Sequence, residues 1–172
     1  MSSDSEFSWK GPHDHYFKIR ALSYESPHES DGHGANWLTL SIEARNDHGH
    51  WERKSPCILT WELVWLRRWL AAVTDGSMES EALSFLEPDL RFTFVASTPG
   101  QYHFSVVLSW GLSRTSDDRP SVIHLAVSDR AYDAALLSLD KTIERFPARG
   151  EAAQMNVRLG PKTIDGVGAA RQ

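Results

Sequence analysis

The sequence predicts one α+β domain: a mainly antiparallel sheet of about six to seven strands with two helices packed on it. Three observations predict this. Several short stretches alternate apolar and polar residues, the period of a strand with one wet face. The links between them are of hairpin length, which joins antiparallel strands but not parallel ones. Two longer stretches, Thr60 to Val73 and Arg130 to Phe146, place apolar residues at helical spacing instead.

Residues 1–12 read as a flexible leader in which Trp9 is the only anchor, and residues 13–149 as the folded domain. Tyr16 to Tyr24 is the first expected strand, with Phe17, Ile19 and Ala21 on one face. Glu25 to Gly34 is rich in turn formers and reads as a loop. Asn36 to Asn46 is the clearest strand: Leu38, Leu40, Ile42 and Ala44 point one way, Thr39, Ser41, Glu43 and Arg45 the other. Asn46-Asp47-His48-Gly49 is turn chemistry. A return strand from about His50 to Lys54 is expected to stop at Pro56.

Thr60 to Val73 is the stretch the rest is organised around. Thr60 is the expected N-cap, and Glu62 lies in the first turn, where the helix dipole favours a carboxylate. Leu63, Leu66, Leu70 and Val73 form one apolar line; Trp61, Trp65 and Trp69 form a second. Gly76 is placed to end the helix in a left-handed conformation. Further strands are expected at Ala82 to Glu87, Leu90 to Ser97, Tyr102 to Trp110 and Ser121 to Val127, with a turn at Thr98-Pro99-Gly100-Gln101. In the third of these, Tyr102, Phe104, Val106, Leu108 and Trp110 share a face. The second helix, capped by Ser128 or Asp129, buries Tyr132, Ala135, Leu136, Leu139, Ile143 and Phe146 and ends at Pro147. Residues 150–172, with four glycines, read as a mostly disordered tail.

Composition narrows the function. Hydrophobic residues make up 41% of the 172, enough to bury a core without disulfides, and the single cysteine, Cys57, excludes an intrachain bridge. The polar N-terminus and the lack of a long apolar run predict a cytoplasmic protein with no membrane contact. A net charge of −5 argues against general nucleic-acid binding and suits a basic protein partner. The acids are unevenly placed. Asp75, Glu79, Glu81, Glu87 and Asp89 fall between Arg68 and Arg91, where no Lys or Arg occurs.

No catalytic signature stands out. His13-Asp14-His15 and His48-Gly49-His50 are both His-x-His, but each lacks further ligands at metal spacing, so solvated loop histidines and no metal or other cofactor are expected. Glu87-Pro88-Asp89 reads as a strand break with exposed acids rather than an acid/base pair.

Four blocks, taken in order, carry a family resemblance: Asn36-Trp37-Leu38, Leu59-Thr60-x-Glu62-Leu63, Phe85-x-Glu87-Pro88-x-Leu90-x-Phe92 and Phe146-Pro147-x-Arg149. Their order and spacing resemble the WapI-type immunity proteins of bacterial contact-dependent toxin systems, over Tyr16 to Arg149. The resemblance implies a non-enzymatic cytoplasmic protein that binds and neutralises the C-terminal domain of a cognate toxin, often a nuclease. The expected partner surface is then Asp75, Glu79, Glu81, Glu87 and Asp89 beside exposed edges of Trp61 and Trp65. A rival reading is a small enzyme or ligand-binding domain with a pocket beneath the Trp61 helix. Another is an interaction module unrelated to toxins.

Overall fold

The computed structural model describes residues 6–115 and 119–155. It is an α+β domain with eight antiparallel strands, but they form two sheets of four rather than one. The first sheet is the meander β1 (Glu6–Lys10), β2 (Tyr16–Tyr24), β3 (Trp37–Asn46) and β4 (Gly49–Leu59). Helix α1 (Thr60–Asp75) follows at once. The second meander is β5 (Ala82–Ser84), β6 (Leu90–Thr98), β7 (Gln101–Leu108) and β8 (Ser121–Ser128). Helix α2 (Asp129–Arg145) and the single turn α3 (Ala152–Met155) complete the described chain. A meander persists only while its links are short; the 16-residue α1 ends the first one, and the chain starts a new sheet instead of rejoining β4.

The two sheets share one core. β8 lies against β1, β2 and β3, while α2 lies against β1 and against β7 and β8. Gly11, in the link from β1 to β2, sits on the β8 backbone; a Cβ there would come within 1.9 Å of the His124 carbonyl oxygen, so only glycine allows that approach. Asn46 Nδ2 donates to the Val122 carbonyl at 3.1 Å, and Trp51 Nε1 donates to the Leu112 carbonyl at 3.0 Å.

The expected flexible leader is the largest difference. Residues 6–10 form edge strand β1, and Trp9 is wholly buried. Its ring stacks on Phe104 at 4.9 Å and on Tyr132 at 6.1 Å and meets Phe92 edge-on at 6.3 Å. One side chain therefore ties the first sheet to the second and to α2. The alternation Phe7-Ser8-Trp9-Lys10 holds only two apolar residues, too few to distinguish a strand from a polar leader. At the other end, part of the expected tail is held: Glu151 N donates to Asp31 Oδ1 at 3.0 Å, and Ala152 is buried. Residues 156–172 lie outside the described residues.

β3 has the expected faces: Leu38, Leu40, Ile42 and Ala44 are buried. On the other face Thr39 and Glu43 are half-buried, and Ser41 is covered by Glu52, whose Oε1 accepts from its hydroxyl at 3.0 Å. β4 runs past Pro56 because it is an edge strand and Pro56 sits beside a register shift, where its missing N–H leaves no ladder bond unmade. β7 ends at Leu108, so Trp110 leaves the buried face and is 60% exposed.

On α1, Leu63, Leu66, Trp69 and Leu70 are buried, while Trp61, Trp65 and Val73 are half-buried. The three tryptophans thus share a flank but differ in burial. Gly76 takes φ 74°, the left-handed stop expected of it. Arg67 grips Asp140 with two bonds of 2.8 and 3.1 Å, and Tyr132 Oη donates to the Leu70 carbonyl, so α1 and α2 are fastened to each other. Among the described residues, no helix is long and apolar enough to cross a membrane.

Leu66 on α1 and Leu139 on α2 both face the core and are almost fully buried. Leu→Ala at either position is expected to lower unfolding free energy by about 2–5 kcal/mol. Urea unfolding checks this; a loss below about 1 kcal/mol at both would mean that the core lies elsewhere.

Candidate functional site

The four sequence blocks meet at one seam. Asn36 is fully buried at the entry to β3, in a single 3₁₀ turn that closes the loop after β2. Its Oδ1 accepts from Thr60 Oγ1 at 2.9 Å and from the Arg149 amide at 2.8 Å. Its Nδ2 donates to the carbonyls of Gly32 at 2.8 Å and Arg149 at 3.2 Å. The full capacity of the amide is used to join the β2–β3 loop, the start of α1 and the segment after α2. Arg149 continues the seam: its guanidinium lies 3.4 Å over the Tyr24 ring, and Nη1 reaches the carbonyls of Pro27 and Glu29 at 3.2 and 3.1 Å. Tyr24 in turn donates to the Pro147 carbonyl at 2.7 Å.

Thr60 therefore does not cap α1. The cap position is Leu59, which has no side-chain acceptor, and Glu62 supplies one by reaching back: Oε2 accepts from Leu59 N at 2.9 Å. Its Oε1 accepts from Leu86 N at 2.6 Å. Glu62 is fully buried, and burial pushes its carboxyl above the ordinary range; the two amides pull the other way, and Glu87 adds a smaller push. A buried carboxylate beneath this helix is what a catalytic pocket requires, but both oxygens of Glu62 are taken by backbone amides. Its geometry is that of a clamp between the start of α1 and the segment after β5. Cys57 is equally enclosed; burial, then Asp89, Glu62 and Glu87, push its thiol up to about 12, so it is not a thiolate nucleophile.

The expected partner acids lie at the last residue of α1 and on the segment that follows it. From Gly76 the chain turns back beside the helix. Trp69 Nε1 donates to the Ser80 carbonyl at 2.8 Å, and Glu62 holds Leu86 seven residues N-terminal of Trp69 on the same helix. Asp75, Glu79, Glu81 and Glu87 are exposed on this ribbon. Asp89 is half-buried at its far end, where burial and then Glu87 raise its carboxyl above the ordinary range. Trp61 and Trp65 share a helix flank with Trp69, the one that holds the ribbon, and each keeps part of its surface in solvent; Trp61 also meets His33 edge-on at 5.3 Å.

The two His-x-His motifs are drawn together at Asp47. His15 is buried rather than solvated, and its Nε2 lies 3.0 Å from Asp47 Oδ1. That bond, followed by the charges of His15, His13 and His48, holds the Asp47 carboxyl below the ordinary range. His50 points instead to Glu43, at 3.4 Å. Among the described residues, no group of three or more His, Cys, Asp or Glu is arranged to hold a metal ion.

Sequence reasoning missed Leu86 and Trp110, both exposed beside Glu87-Pro88-Asp89. Leu86 reads as strand in the sequence, but β5 ends at Ser84. Trp110 alternates correctly with β7 and then takes a left-handed φ of 47°, which alternation does not reveal.

Replacing Glu62 with Gln keeps its size but turns one acceptor into a donor facing the amide of Leu59 or Leu86. Stability is expected to fall by about 1–3 kcal/mol in denaturant unfolding. Unchanged stability would show that the two-amide clamp does not form.

Comparison with known proteins comes down to one family. The model described as the Immunity protein WapI-like family matches residues 8–147, and the chain belongs to that family. No match is found among curated proteins or among solved structures.

Proposed function

We propose that this WapI-like family member binds and neutralises the toxic domain of a cognate bacterial toxin, acting in the cytoplasm through the acidic ribbon beside α1. The observation that carries the reading is the family match, which spans both sheets and both long helices. The toxin domain is read as a basic, nuclease-like protein. A domain that cleaves nucleic acid must engage phosphates and is basic for that reason. Asp75, Glu79, Glu81, Glu87 and Asp89, on a stretch free of Lys and Arg, supply the opposite charge. The ribbon acts by steering the basic domain in and covering its phosphate-binding surface, while the solvent edges of Trp61 and Trp65 add apolar contact that charges at a rim do not.

Co-expression with a toxin domain encoded directly beside this chain, followed by size-exclusion chromatography, tests the reading. Co-elution and rescue of growth are expected; growth arrest with separate elution would reject it. Within a complex, Glu79→Lys with Glu81→Lys is expected to slow association by about tenfold at low salt and to flatten its salt dependence. The thermal midpoint should barely move, since both side chains are exposed. Stopped-flow measurements giving the wild-type rate and salt slope would place the interface elsewhere.

A further inference from the structure

Among the described residues, five large apolar side chains are exposed: Leu86, Val95, Trp110, Val122 and Leu137. Two of them, Leu86 at 58% and Trp110 at 60%, frame the acids of Glu87-Pro88-Asp89. The framing is set by the backbone. Leu90 pairs with Leu108, and Ser109 N donates to the Asp89 carbonyl at 2.8 Å, so Trp110 follows directly on a bond to Asp89. Leu86, three residues before Asp89, is held in place by the Glu62 clamp on its amide.

Neither side chain is exposed by looseness. The turn carrying Trp110 is closed by bonds from Leu112 N to the Ser109 carbonyl and from Ser113 N to the Trp110 carbonyl, and Leu112 beyond it is fully buried. Trp110 is held at φ 47°, a conformation unfavourable for a bulky residue, with its large ring in water. The charges between the two anchors in the chain are those of Glu87 and Asp89. The charged neighbours that shift Cys57, Glu62 and Asp89 are all acids, and no Lys or Arg is among them. An apolar pair around two carboxylates fits a cation carried on an apolar stem, which is the form of an arginine or lysine side chain.

We infer that Leu86 and Trp110 are the apolar anchors of the partner site, and that between them they receive a basic side chain of the partner protein, its cation over Trp110 and paired with Glu87 and Asp89. The inference rests on the reading that a basic protein binds the ribbon, and it moves the centre of that surface to the Asp89 end. Arginine suits the site better than lysine, because its planar group both stacks on an indole and bonds a carboxylate in a fork.

A hexa-arginine peptide is the first probe, followed by nuclear magnetic resonance on the full chain. The Trp110 indole and the Leu86 amide are expected to shift most, with the shifts abolished in Glu87→Gln/Asp89→Asn. No shift, or shifts confined to residues 75–81, would overturn the inference. The adjacent-gene toxin domain is the second probe. Trp110→Gly and Leu86→Ala are each expected to weaken its binding by at least about tenfold. Trp110→Gly should leave the thermal midpoint equal or higher, because glycine accepts the left-handed backbone; a lower midpoint would mark Trp110 as structural and overturn its role as an anchor. A toxin domain that binds wild type and both variants equally would remove these anchors while leaving neutralisation intact. A toxin domain that does not bind wild type would reject neutralisation, and the peptide result would then decide the basic-side-chain site alone.

Discussion

The seam at Asn36 is the constraint on which the rest of the structure depends. Two meanders that do not pair with each other need something to fix their relative placement, and hydrophobic packing alone is non-directional. Asn36 and Glu62 supply direction. Asn36 holds the loop before β3, the first residue of α1 and the segment after α2 through one amide group. Two residues further along α1, Glu62 holds the helix cap and the segment after β5. Together they fasten four chain segments that are far apart in sequence, and each buried polar atom named here is satisfied, which is the condition for a buried polar network to hold a fold rather than weaken it.

That arrangement gives the four sequence blocks a physical meaning. Asn36, Thr60, Glu62 and Arg149 each lie in a block and each makes a seam bond. The Phe85-x-Glu87 block brackets Leu86, whose amide Glu62 holds. Phe146 and Pro147 of the last block meet Tyr24, through a ring contact at 5.4 Å and a hydrogen bond. The blocks thus mark how the chain is closed up. They describe the framework, and they say little about which surface meets a partner.

Much of the fold was legible because the sequence states it locally. The faces of β3, the extent of β2, the burial of Tyr132, Ala135, Leu139 and Phe146 along α2 and the Gly76 stop all follow from periodicities or backbone preferences a few residues long, although Leu136 and Ile143 are only half-buried. What was not legible depends on long-range pairing. Nothing near Trp9 says that its partners are Phe104 and Tyr132, and nothing near α1 says whether β5 should join β4. The same holds for His15, which is buried, stacks on His124 and bonds Asp47, 109 and 32 residues away. At the candidate site, the acids were legible as a charge run. Their arrangement as a ribbon was not, because it comes from Trp69 and Glu62 capturing the backbone of the returning chain.

The clamp also explains how an exposed leucine and an exposed tryptophan come to flank acids on a rigid surface. An apolar side chain on a loose loop loses part of any binding energy to the entropy of ordering the loop. Here the ordering has been met in folding. Glu62 fixes Leu86 from beneath, the bond from Ser109 to Asp89 fixes the start of the Trp110 turn, and buried Leu112 fixes its end. The backbone that positions these side chains is bonded into the interior, while more than half of each of the Leu86 and Trp110 side chains lies in solvent. Substitution at Leu86, Glu87 or Trp110 is therefore expected to leave the seam intact, whereas substitution at Asn36 or Glu62 is expected to loosen it. If the proposed partner surface lies there, it is free to change while the framework behind it stays in place.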